Sequence, residues 1–288
     1  MNGRAACRGA ATIVNAIATG KGAAFGISLE TDAVVELRPG DGPIILRESN
    51  ESPDLPVGCV RAVISRTIKK GVEGEVRIRS EIPVSRGLKS SSAVSNAVVL
   101  AAARAVGSDL PDMDVLLMGI DESMKAGVTI TGAFDDASAC FLGGVVVTNN
   151  RSFTILNRGN LDPDLEVLIH VPTRRITKAS LKNTDFSPIR EKIESAVDLA
   201  MKGEYLKAME INSKAYAKVL DVPEDAAELA RRHGALAAGI SGTGPATVAL
   251  CPFGEAGQVQ KAFEGLEGTV LRARINDTPS REVVPRLF

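Results

Sequence analysis

The chain has 288 residues, of which 44 % are hydrophobic and 24 % charged, with a formal net charge of −1. It carries enough apolar side chains for a substantial core in two moderate domains or one large one, and it lacks both the polarity of a disordered segment and the positive excess of a protein that coats nucleic acid. No uninterrupted apolar run reaches bilayer-spanning length and Met1-Asn2-Gly3-Arg4 leads into no continuous apolar targeting segment, so the expectation is a cytoplasmic protein with no membrane or nucleic-acid partner.

In chain order, Gly26 to Arg38 reads as a strand ended by Pro39-Gly40, Cys59 to Lys70 as a helix, and Glu75 to Ile82 alternates like a strand. A Gly/Ser loop follows, Pro83-Val-Ser-Arg-Gly87-Leu88-Lys89-Ser90-Ser91-Ser92-Ala93, and Ser91 to Val106, rich in Ala, Val and Leu, reads as a helix. Met113 to Lys125 is a second helix, Gly127 to Gly132 a turn, Asp135 to Phe141 a short helix, and Gly143-Gly144-Val-Val-Val-Thr148 a returning strand. The polar stretch Asn149 to Gly159 is a candidate hinge, dividing a domain of residues 1–150 from one of 151–288. Beyond it come a strand at Leu165 to Val171 and helices at Ile189 to Lys202, Tyr205 to Leu220 and Glu224 to His233. A strand at Ala246 to Leu250, a helix at Glu255 to Phe263 and a strand at Thr269 to Ile275 complete an α+β pattern, with a second glycine-rich turn at Gly239 to Pro245.

A Gly/Ser loop that ends at a helix start is a phosphate-binding arrangement: the first helical N–H groups have no intrahelical partner and the positive end of the helix dipole faces the loop. Gly87 permits close backbone approach, Ser90, Ser91 and Ser92 offer hydroxyls, and Lys89 supplies a point charge. The chain has no Gly-x4-Gly-Lys-Ser/Thr run, and Gly20-Lys21-Gly22 lacks the leading glycine and the trailing hydroxyl, which argues against a P-loop kinase. Cys7, Cys59, Cys140 and Cys251 form no Cys-x-x-Cys pair, and the imidazoles are limited to His170 and His233, so neither a zinc site nor a Ser-His-Asp hydrolase is expected. The remaining chemistry fits phosphoryl transfer, which needs positioned phosphates, charge neutralisation by Mg²⁺ and a carboxylate for the attacking hydroxyl. Asp135 and Asp136 are the candidate carboxylates, one able to cap the short helix while the other acts, and a loop serine with a helix carboxylate such as Glu122 could ligate the Mg²⁺.

Pro83-x3-Gly87-Leu88-Lys89-Ser90-Ser91-Ser92-Ala93 resembles the second motif of the GHMP kinase superfamily, whose members include galactokinase, homoserine kinase and mevalonate kinase. Gly239-Ile-Ser-Gly-Thr-Gly-Pro245 resembles its third motif, Ala11-Thr12-Ile-Val-Asn15 its first, and Asp135 stands the family's short distance before Gly143-Gly144. The run Asn15 to Gly26, the lysine at the central glycine of the loop and Ser-Gly-Thr-Gly-Pro-Ala look like the archaeal-type shikimate kinase branch.

The resemblance implies an N-terminal domain like the second domain of ribosomal protein S5, a ferredoxin-like α/β C-terminal domain, and ATP-dependent phosphorylation of the shikimate 3-hydroxyl in chorismate biosynthesis. It implies ATP with Mg²⁺, Asp135 as catalytic carboxylate, and Ser91 and Glu122 as metal ligands. Pro83, Gly87, Leu88, Lys89, Ser90, Ser91, Ser92 and Ala93 fall to the nucleotide, and Thr12, Asn15, Ser241, Gly242, Thr243 and Gly244 to the substrate. Arg174, Arg175 and Lys178 are candidates for the substrate carboxylate. Some relatives carry a lysine in the first motif where this chain has Thr12. Either Lys21 replaces it or the aspartate acts without a lysine, and Asp136, where relatives often have Asn, leaves the choice of base between the two open. A homodimer is compatible with the family. The competing expectations are a kinase for another small alcohol such as homoserine, and a nucleotide-binding regulator that has lost catalysis.

Overall fold

The computed structural model describes residues 1–49, 51–68, 71–129, 132–174 and 184–286. The first sheet is organised by β2 (Lys21–Pro39), 19 residues long, whose one edge pairs antiparallel with β1 (Asn2–Val14). Its other edge carries β4 (Val72–Ser80) beside Thr31 to Pro39 and β5 (Val145–Asn149) beside Lys21 to Phe25. β3 (Ile44–Arg47) joins β4 in parallel and β6 (Thr154–Gly159) joins β5 antiparallel. Helices α1 (Asp54–Thr67), α2 (Ser90–Ala105), α3 (Asp112–Lys125) and α4 (Phe134–Leu142) form the helical layer, with α2 and α4 packed directly on β1 and β2.

The contact between α2 and β1 works because both surfaces are made of small residues. Ala97, Ala101 and Ala105 of the helix and Ala5, Ala10 and Ala11 of the strand are buried. At Gly3 the backbones come so close that an added Cβ would lie 2.0 Å from the Ala101 carbonyl oxygen. The helix is thereby pressed onto the strand, and its N-terminus is carried to the end of the sheet where β1 finishes.

The second sheet has the order β10-β7-β9-β8, all antiparallel, from β7 (Glu166–Val171), β8 (Ala237–Ile240), β9 (Thr247–Cys251) and β10 (Thr269–Arg274). A 3₁₀ turn (Ser187–Ile189) leads into α5 (Arg190–Met201), which packs on α6 (Tyr205–Leu220), and α7 (Asp225–Arg232) and α8 (Ala256–Glu264) complete this half. α6 touches both β8 and β1, so one helix spans the two sheets. After β10 the chain returns to the first half: Asn276 N–H donates to the Gly26 carbonyl and Ser280 N–H to the Phe141 carbonyl at the end of α4.

Several elements differ from expectation. β1 has no counterpart in the sequence reading because Ala and Gly dominate it up to Ala11, β-branched residues entering only at Thr12 to Val14, and small side chains carry little strand signal. α1 starts at Asp54, five residues before the expected Cys59, since Pro56 in its first turn is compatible with helix and obscures the start. Lys70, its expected end, lies outside the described residues. Asn149 to Gly159, expected as a hinge loop, contains β6; its polar alternation is that of an edge strand with one face toward solvent. β8 was hidden by its shortness against the glycine turn.

A Gly3→Ala substitution is expected to push α2 off β1 and to lower unfolding free energy by about 1–3 kcal/mol, read from the urea midpoint; an unchanged midpoint contradicts the tight backbone contact.

Candidate active site

Three loops far apart in the chain are sewn together where β1 ends. Ser241 Oγ–H donates to the Gly87 carbonyl at 2.7 Å and accepts from Thr12 N–H at 3.2 Å. Gly242 N–H donates to Thr12 Oγ1 at 2.7 Å, and Asn15 Nδ2 donates to the Gly242 carbonyl at 2.9 Å. Gly87 has φ +82°, and a Cβ there would meet the Ser241 carbonyl oxygen at 2.0 Å, so only glycine fits on both counts. α6 supports the arrangement from behind. Asn212 Oδ1 accepts from Asn15 N–H, Ser213 Oγ from Ile240 N–H, and Tyr216 OH donates to the Asn15 carbonyl. None of the three α6 side chains is singled out by the sequence, where they are ordinary polar residues of an amphipathic helix.

The sewn loops line a cavity of about 600 Å³ that also includes Pro83, Arg86, Ser90 to Ser92, Asp135, Asp136 and Gly242 to Gly244. α2 enters it by its N-terminus with no side-chain cap and no acidic residue in its first turn. Among the described residues no protein group takes the hydroxyls of Ser90, Ser91 or Ser92, which are half-buried. Free helical N–H groups, free hydroxyls and the positive helix end together make a seat for an anion.

Opposite this seat α4 presents its acidic first turn. Asp135 is buried at 4 % exposure; its Oδ1 accepts from Asn150 Nδ2 at 2.8 Å and its N–H donates to Asn150 Oδ1 at 3.2 Å. Thr148 Oγ1 donates to the same Asn150 oxygen at 2.7 Å, which fixes the amide orientation. A Cβ on Gly22 would lie 2.3 Å from Asp135 Oδ2, so the glycine makes room for the carboxylate. Burial, reinforced by the charge of Asp136, pushes the Asp135 carboxyl up to about 7, against the Lys89 ammonium and the Asn150 amide, which pull it down. Asp136 forms an ion pair with Lys89, Nζ to Oδ1 2.8 Å.

The structure thus brings together Thr12, Asn15, Pro83, Gly87 to Ser92, Asp135, Asp136 and Gly242 to Gly244. It places others elsewhere. Lys21, a candidate partner of the aspartate, does not line the cavity; it pairs with Glu194 at 3.4 Å with both side chains 41 % exposed, because its place on β2 turns it toward α5. Glu122, the expected second metal ligand, faces a separate groove between α1 and α3, where Lys125 holds it at 2.7 Å, while Ile120 and Ser123 of the same helix face the cavity. Ala93 turns into the core, and the hydroxyl of Ser241 is consumed by the loop stitching. Arg174 is exposed, and Arg175 and Lys178 lie outside the described residues. Arg86, not anticipated, lines the cavity and donates from Nη2 to the Thr173 carbonyl at 2.9 Å. Among the described residues no three Asp, Glu, His or Cys side chains cluster, so no protein cage for a metal is formed. The oxygen donors at the cavity fit instead a Mg²⁺ that arrives on phosphates and keeps water ligands. Among the described residues no helix is long and apolar enough to cross a membrane.

Comparison with known proteins agrees with this geometry. The family model of the GHMP kinases N terminal domain matches residues 54–144 and that of the GHMP kinases C terminal domain residues 189–266. The chain is 40 % identical over 290 residues to the shikimate kinase of Methanothrix thermoacetophila, covering 100 % of this chain and 99 % of that one. It is 39 % identical over 286 residues to the shikimate kinase of Methanosarcina mazei, covering 96 % of each. Its fold is shared with the crystal structure of homoserine kinase from Cytophaga hutchinsonii, with TM-score 0.75 at 17 % identity over 96 % of both chains. With both halves matched and relatives this similar over their full length, the chain belongs to the GHMP kinase family, alongside archaeal proteins named shikimate kinase.

Proposed function

We propose that the chain transfers the γ-phosphoryl group of ATP to the 3-hydroxyl of shikimate, giving shikimate 3-phosphate and ADP. The observation that carries the reading is a buried carboxylate, Asp135, lining the same cavity as the uncapped N-terminus of α2, in a chain whose relatives of 39 % and 40 % identity bear the name shikimate kinase.

The triphosphate sits on the free N–H groups and hydroxyls of Ser90 to Ser92, which neutralise charge without moving. Ser91 would share in holding a Mg²⁺ brought by the nucleotide, which would supply charge neutralisation of the phosphates. Asp135, its carboxylate fixed by Asn150, accepts the proton of the acceptor hydroxyl as the new O–P bond forms and the bond to the β-phosphate oxygen breaks. Arg174, exposed and next to Thr173, is the cation assigned to the substrate carboxylate in this reading, while Arg86 donates to the Thr173 carbonyl. The family's lysine is not supplied by Lys21 here, because Lys21 is held by Glu194 outside the cavity.

ADP release with purified protein is expected with shikimate and not with homoserine or mevalonate; turnover on either of the latter alone rejects the substrate assignment. Asp135→Asn is expected to reduce kcat by roughly 10²–10⁴ while ATP affinity measured by calorimetry is kept.

The pH dependence has a definite sign. Activity needs the ionised carboxylate, so kcat/KM should climb as pH rises toward about 7 and level off above it. Stability runs the other way: the folded protein holds this proton more tightly than the unfolded chain, so the contribution of Asp135 declines between the ordinary carboxyl value of 3.8 and about 7. Asp135→Asn should therefore unfold at a higher temperature than the parent protein at pH 8 and at nearly the same temperature at pH 4. A lower melting temperature at pH 8 contradicts the buried, disfavoured carboxylate.

A further inference from the structure

Two helix N-termini meet at the cavity, and each is preceded by a non-glycine residue in the left-handed region: Lys89 (φ 66°, ψ 28°) before α2 and Ala133 (φ 47°, ψ 51°) before α4. This conformation is unfavourable for a side-chain-bearing residue, and at position 89 a glycine would avoid the cost. A lysine serving the phosphates would have its ammonium free in the cavity. Instead the Lys89 side chain is 6 % exposed and its Nζ lies 2.8 Å from Asp136 Oδ1, spanning from the start of α2 to the first turn of α4. Gly242 closes the site from the other half: a Cβ there would lie 3.1 Å from Nζ. Two other cations near the site have partners of their own, Lys21 with Glu194 and Arg86 with the Thr173 carbonyl. Without Lys89 two adjacent carboxylates would share a desolvated pocket and repel each other; with it, one of the two negative charges is cancelled.

Building on the kinase reading, we propose that Lys89 is a positioning residue: its ion pair with Asp136 ties the first turn of α4 to the start of α2 and leaves Asp135, which has no ion-pair partner among the described residues, as the carboxylate aimed at the acceptor hydroxyl. Its charge serves the acidic pair rather than the nucleotide phosphates. Asp136 is then the anchor of the lysine, and the base is Asp135.

The test is a cycle of Lys89→Met, Asp136→Asn and the double variant, each measured for kcat, for KM of both substrates, and for ATP Kd by calorimetry in the absence of acceptor. Lys89→Met strands a charge and is expected to lower kcat by about 100-fold or more with ATP Kd changed less than about threefold. The double variant removes both charges and is expected to recover at least about tenfold of that loss. ATP Kd weakened by about tenfold or more in Lys89→Met, or a double variant no faster than Lys89→Met, overturns the proposal. If Lys89→Met does not fold, Lys89→Arg decides: retained ATP Kd supports the assignment, and a tenfold weaker Kd with kcat retained overturns it. Because ATP Kd needs no acceptor, a wrong choice of shikimate appears as absent turnover in the parent protein and leaves the binding test of Lys89 intact.

Discussion

The hydroxyl of Ser241 is the smallest group on which the site depends. It donates to Gly87 in the serine loop and accepts from Thr12 at the end of β1, joining segments that are 154 and 229 residues apart in the chain. The reciprocal bonds from Gly242 to Thr12 and from Asn15 to Gly242 complete a joint in which the buried side chains of Thr12, Asn15 and Ser241 are all hydrogen-bonded. Such a joint is stiff because each unmade bond would leave a desolvated donor or acceptor. The serine loop is therefore held in one shape before any ligand arrives, and the ordering entropy of a phosphate seat is met during folding rather than at binding.

Rigidity of this kind allows the protein to keep groups that oppose folding. Asp135 is buried where its ionised form is disfavoured, and Lys89 and Ala133 occupy backbone conformations that side-chain-bearing residues avoid. These costs are concentrated at the two helix starts that face the cavity. They are tolerated because the Ala-rich contact of α2 with β1, the Asn150 bonds and the return of Ser280 to the end of α4 hold both helices from outside the cavity. Cys140 on α4 and Cys7 on β1 are buried side by side, and the same desolvation pushes both thiols up.

Two cavities bordered by α3 show how helix phase decides which side chain reaches a site. Ile120 and Ser123 face the serine loop while Glu122, between them in sequence, faces the groove beside α1. Neighbouring helical positions lie about 100° apart around the axis, so a carboxylate assigned to the metal from sequence order alone lands on the wrong face. The same rule governs Lys21 on its strand, where alternation turns it toward α5 and away from the aspartate.

Local chemistry is what the sequence by itself determined: the glycine and serine run that leaves a helix start uncapped, the acidic first turn at Asp135 and Asp136, and the glycine turn before Pro245 are all dictated by which backbone conformations nearby residues permit. The order of those pieces resembles the family's motifs, and the succession of helix and strand signals points to the α+β class. Only the tertiary structure decided which groups meet: that Lys89 pairs with Asp136, that Asn150 holds Asp135, that Ser241 joins three loops, that Glu122 looks elsewhere, and that β1 and β6 are strands at all. The reason is physical. A contact between residues of different elements, or the pairing of an Ala-rich or half-polar strand, is set by close packing and desolvation of the assembled core, and neither leaves a periodic trace in the chain.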